Sequence, residues 1–171
     1  MFDPTIFDNL KVGIENHVYD LDTIEQLVQV TNRKDQIELS VMSRFFSIEF
    51  QLLNETKTKA QIILQSTVKD LADEILNVQG TSPGTMILVR FSREIKEMKT
   101  CEEIEEILTT IWNPEQPLKQ NLCFQYGDPN HTYINTIDIL FNDKINEEHM
   151  SDIPTLVEHI LKSLRELNVL I

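Results

Sequence analysis

The chain is poor in the residues that staple, bend or loosen a protein: 2 Cys, 4 Gly and 6 Pro in 171 residues. So little glycine and proline leaves no material for a long flexible linker. Residues 1–171 therefore read as one domain, long enough to bury a core without a metal or a disulfide. Cys101 and Cys123 are the only cysteines; without an export signal they are expected to be two reduced thiols. No apolar run approaches the roughly 18 residues that a membrane helix needs. The densest, residues 86–89, has the length of a buried strand.

Positive charge is also scarce. Lys and Arg number 15 against 28 Asp and Glu, a formal net charge of −13. Such a field repels phosphate backbones and anionic lipid, so neither nucleic acid nor a membrane surface is expected as a partner. The nearest thing to a basic run, Arg33 with Lys34, is followed at once by Asp35. Residues 1–10 carry Asp3, Pro4 and Asp8 but no basic start ahead of an apolar stretch, which fits neither a signal nor a transit peptide, and a cytoplasmic location is expected. Missing too are GxGxxG, GxxxxGK[ST], GxSxG, CxxC and HExxH, the short patterns that bring phosphate, nucleophile or zinc chemistry with them. No catalytic, cofactor or metal residue is assigned.

What is present is periodicity. Residues 10–21 mix apolar and polar positions in rough alternation (Val12, Ile14, Val18), which suggests a strand or two. Residues 23–31 fit a helical face or a strand, and the strand is preferred because residues 32–35 then make a turn into a clearer one. From Ile37 the alternation is strict, with Ile37, Leu39 and Val41 against polar neighbours; it resumes with the opposite parity at Phe46, Ile48, Phe50 and Leu52. A change of parity requires a bulge or turn near residues 43–45. Ala60, Ile62 and Leu64 alternate again after a polar connection and complete a hairpin.

Val68, Leu71, Ala72, Ile75 and Leu76 share one helix face, with Ser66 or Thr67 as cap. Residues 86–91 read as a strand covered on both faces. Thr100 and Glu103 have the spacing of a capping box ahead of Ile104, Ile107, Leu108 and Ile111, and Asn113 with Pro114 stops that helix. Leu122, Phe124 and Tyr126, then Ile137, Ile139 and Phe141, give a second hairpin. A last helix spans about 152–168, with Pro154 in its first turn. Hairpins interspersed with three amphipathic helices predict an α+β domain: a largely antiparallel or mixed sheet with the helices packed on it.

Polar residues that could do chemistry gather in one stretch: Asp128, His131, Asp138, Asp143, Glu147, Glu148, His149 and Asp152. Groups of this type hold divalent metals and activate water. Asp128 and His131 are separated from residues 143–152 by a strand of roughly 30 Å, so only Asp143, Glu147, Glu148, His149 and Asp152 can converge. His17 and His159 have no visible catalytic partner. Cys101 opens a helix, which favours a thiolate, yet Glu102, Glu103, Glu105 and Glu106 oppose one; Cys123 sits on an alternating strand. Arg90 and Arg93 can each grip a carboxylate, most simply one of the chain's own.

The expectation is a non-catalytic intracellular protein that binds or regulates through protein contacts, with a small metal-assisted hydrolase built on the cluster near His149 as the alternative. The partner expected is a second copy, meeting through the C-terminal helix and its apolar tail Val169, Leu170 and Ile171, since free chain ends are usually polar. The charge makes one outcome testable at once: in filter binding at physiological salt, mixed duplex and single-stranded oligonucleotides are not retained. Binding tighter than about 1 μM that weakens steeply with salt would expose a concealed basic surface.

Overall fold

The computed structural model describes residues 5–170; residues 1–4 and Ile171 lie outside that span. Its first element is a helix, α1 (Ile6–Thr23), where alternation had suggested strands. Thr5 and Asp8 cap it reciprocally, and its buried side chains, Phe7, Leu10, Ile14, Val18 and Leu21, recur every three or four residues. Val12, which lent the segment its apparent alternation, is exposed.

Three antiparallel strands follow: β1 (Val28–Glu38), β2 (Ser43–Leu52) and β3 (Thr58–Ser66). Phe46, Ile48, Phe50 and Leu52 are buried, as their alternation requires. The change of parity before them comes from the turn between β1 and β2, with β2 already running at Ser43. Residues 39–42 are that turn, and Ile37, Leu39, Val41 and Met42 all face solvent, so the strict alternation of this stretch does not bury one side. A bulge lies earlier, at the register shift between Val30 and Asn32.

Helix α2 (Val68–Ile75) leads into β4 (Met86–Ile95), and α3 (Thr100–Trp112) separates β4 from the hairpin of β5 (Lys119–Cys123) and β6 (Tyr133–Leu140). In β4 only Ile87, Val89, Phe91, Arg93 and Ile95 are buried while Met86 is exposed, so the strand has one covered face and not two. The cap expected of Thr100 and Glu103 does not form, since Lys99 occupies the cap position without a side-chain bond. Asn113 does end the helix, in the left-handed conformation (φ 42°) that asparagine tolerates. A short 3-10 turn, Glu147–Asp152, precedes the last helix, α4 (Ile153–Val169).

Among the described residues the sheet has six strands in the order β1-β2-β3-β4-β6-β5, every neighbouring pair antiparallel, and the fold is α+β with four α-helices. One face carries Phe46, Ile48, Phe50, Ala60, Ile62, Leu64, Val89, Phe91, Ile137 and Ile139, and these form one cluster with the buried side chains of α1, α3 and α4. Within the helix layer, the Trp112 indole of α3 donates to the hydroxyl of buried Ser163 in α4 (2.8 Å), and its ring meets Phe91 edge-on. Asn168 of α4 accepts from the Thr58 amide (3.1 Å) and donates to the Leu164 carbonyl (2.7 Å), joining the helix end to β3. The other face carries polar pairs across strands beside a few apolar side chains such as Ile63: Arg90 grips Asp138 through two parallel bonds of 2.6 and 2.8 Å, and Lys59 meets Glu49.

Removing a ring from the covered face leaves a cavity, whereas trimming the exposed turn does not. Phe50→Ala should lower the unfolding free energy by about 3–5 kcal/mol and Leu39→Ala by less than about 0.5. Urea denaturation of both variants checks the assignment; equal losses would mean that the buried face is misidentified.

Candidate interaction surface

The polar side chains singled out from the sequence are held apart, and four of them, Asp128, Asp138, Glu147 and His149, are put to structural use. Asp128 accepts from the Asn130 and Thr132 amides and the Thr132 hydroxyl (2.9–3.2 Å), which closes the β5–β6 turn and holds its carboxyl below the ordinary value. Asp138 is committed to Arg90. Glu147 accepts from the Asn9 side chain of α1. The His149 Nδ1 takes the Asn146 amide (3.2 Å) and caps the 3-10 turn, while Asp152 caps nothing with its side chain. Among the described residues no three His, Cys, Asp or Glu side chains come together in a way that could hold a metal. The cluster near His149 is a helix entry.

Cys101 is half-buried, and burial, with Glu102 beside it, pushes its thiol above the ordinary value, the reverse of what a nucleophile needs. Cys123 is exposed. His159 bonds the Thr155 carbonyl (2.8 Å) and lies against Trp112. Among the described residues Arg93 is buried without a carboxylate: its guanidinium donates to the Leu167 and Leu170 carbonyls at the end of α4, and burial pulls its pKa down. It stands in the wall of a shallow groove of about 900 Å³ where Lys57, Lys96 and Lys99 alternate with Glu94, Glu97 and Glu103. Neither His149 nor its acidic neighbours reach that groove.

The C-terminal helix spends its apolar stripe inside the molecule: Ile153, Val157, Ile160, Leu161, Leu164 and Leu167 are all buried. Leu170 packs against the core, its carbonyl held by Arg93 (3.2 Å). Of the tail expected to carry an interface, only Val169 is an exposed side chain, and Ile171 lies outside the described residues.

Ile24, Leu27, Leu53, Met98, Phe124, Tyr126 and Ile134 are exposed toward one end of the sheet, and nine of the exposed apolar side chains lie at the other, where β1 turns into β2, β3 runs out into α2, and β4 begins. The antiparallel register sets Arg44 beside Ser66 and Met86 beside Gln65, so these elements share that end. Ile37, Leu39, Val41 and Met42 project from the turn, and Val68, Ile75, Leu76, Val78 and Met86 from α2 and its flanks. Leu39 is 77% exposed, Leu76 70% and Ile75 65%.

Helix α2 owes this to the way it is fastened. Thr67 and Asp70 cap it reciprocally, Asp70 is buried against Lys144, and Glu74 accepts the Ile6 amide at the start of α1 (2.9 Å). At about 100° per residue, Asp70 and Glu74 lie on one side, and Val68, Leu71, Ala72, Ile75 and Leu76 centre on the opposite one. The polar side holds the helix to the body and the apolar side faces out. Asp70 is its only buried residue. Sequence periodicity located the stripe but not its direction; the carboxylates at i and i+4 on the far side were the available signal.

No family model matches the chain, and no curated protein or solved structure matches it either.

Burial works to raise the Asp70 carboxyl, but the Lys144 ammonium and the Thr67 amide and hydroxyl outweigh it and hold the pKa below 3.8. A depressed folded-state pKa contributes stability above the unfolded value, and that contribution fades as pH falls through the folded one. Lys144→Met should therefore cost about 1 kcal/mol near pH 7, where the partner is partly solvated, and progressively less below about pH 4. Urea curves at pH 7 and pH 3 check this; a gap independent of pH would mean that the pair does not stabilise the fold.

Proposed function

We propose that this is a non-catalytic intracellular protein that works through protein contacts made at the apolar end of its sheet, and that it pairs with a second copy of itself. One observation carries the reading: nine apolar side chains stand exposed at that end. Their summed exposures correspond to an area on the order of 900 Å², comparable to one side of a standard interface. Each Leu or Ile moved out of water contributes roughly 1.5–3 kcal/mol, so this surface is favourable to cover and costly to leave wet. Asp128, Asp138, Glu147 and His149, on which a catalyst would draw, are tied into a turn, an ion pair, an inter-helix bond and a cap, which supports binding over chemistry. Among the described residues no helix is long and apolar enough to cross a membrane. Two free thiols suit the reducing cytoplasm.

Static light scattering on the purified chain at concentrations up to about 100 μM tests the pairing. A mass near twice 19.9 kDa is expected. A mass of 19.9 kDa throughout that range overturns the self-association reading.

A further inference from the structure

Resting on that reading of self-association, we infer that the seam between the two copies is α2, its stripe of Val68, Leu71, Ala72, Ile75 and Leu76 packed against the same stripe of the partner about a two-fold axis.

The outward stripe of the helix carries no charge of its own. Asp73 pairs with Lys69 of the same helix (2.6 Å) and Asp70 with Lys144, while the charged Glu74 is turned to the far side, where it accepts the Ile6 amide. On a molecule of net charge −13, where most surfaces repel their own copy, an uncharged stripe is one that can meet itself. A two-fold contact needs a self-complementary surface, and one short stripe lying across the axis supplies that. Ala72, small and flanked by Leu71, Ile75 and Leu76, lets two helices approach to the usual 8–10 Å while the larger side chains interdigitate around it.

Area narrows the occupant further. The stripe with Val78 and Met86 offers on the order of 600 Å² per copy, about 1,200 Å² in the pair, which reaches the lower bound for a specific interface without a second protein. That size suits a dimer of micromolar affinity. The turn between β1 and β2, at the same end, adds to the contact where the second copy reaches it.

Ile75→Glu with Leu76→Glu places charges on positions that are exposed in the single chain, so the fold is not disturbed. Light scattering of the double variant, with its far-UV circular dichroism as the control for folding, is expected to show a monomer with a native spectrum and a dissociation constant raised at least about 100-fold; its melting point falls only by the part that dimerisation contributes. A folded variant that remains a dimer overturns the α2 seam and leaves self-association standing. A wild-type monomer at about 100 μM overturns both. Should the double variant unfold, Ala72→Cys in a Cys123→Ser background decides: mild oxidation yields a disulfide-linked dimer if the two helices cross there. The control Asn16→Cys on α1 does not cross-link. Equal cross-linking at both positions, or none at Ala72→Cys, overturns the proposal.

Discussion

A side chain on an antiparallel strand has two destinations, and in this sheet only one of them is a layer of helices. The alternation of Phe46, Ile48, Phe50 and Leu52 against Ser47, Glu49 and Gln51 therefore fixes which face α1, α3 and α4 cover. It also makes the Arg90–Asp138 pair possible, since residues of opposite parity on neighbouring strands meet at the polar face. Buried polar groups add fastenings at chosen points: Asn168 ties the end of α4 to the start of β3 at Thr58, and Ser163 ties α4 to Trp112 of α3.

The helix layer explains why so little chemistry is left over. Three helices over six strands turn the ends of the sheet into crowded junctions, and each junction consumes polar side chains. Asn9 takes Glu147, Arg44 takes Asp8 (2.8 Å) and sits over the Phe7 ring, and Lys144 takes Asp70. A chain with 28 carboxylates has many to spare, and those at these junctions are used as mortar.

Much of the fold was legible because its strands keep strict period two and its last helix has an unbroken stripe. The misreadings share a cause. Val12, Ile14 and Val18 imitate a strand because an exposed valine fell between two core positions of α1; the spacing of Leu10, Ile14, Val18 and Leu21 and the pair Thr5 and Asp8 carried the helical signal. Ile37, Leu39 and Val41 alternate without a covered side, because local sequence records which residues are apolar and not whether anything lies opposite them. The run at residues 86–89 was read as doubly buried, yet Met86 begins β4 at the open end of the sheet. The exposed end escaped sequence reasoning for the same reason: a stripe at helical spacing looks identical whether the protein or a neighbour covers it.

The fastening of α2 has a further consequence. The helix has only eight residues, too few to persist alone in water, and it is moored by the Lys144 pair, the Glu74 bond and the bridge between Thr85 and Ile145 that closes its return to the sheet. The sheet beneath does not need it, so its backbone amides open by local unfolding while those of β3 and β4 wait for the whole molecule. Whatever settles on the outward stripe therefore also freezes a segment that is only loosely frozen beforehand. Recognition and ordering become one thermodynamic event, and the slowing of amide exchange in this one helix is its natural signature.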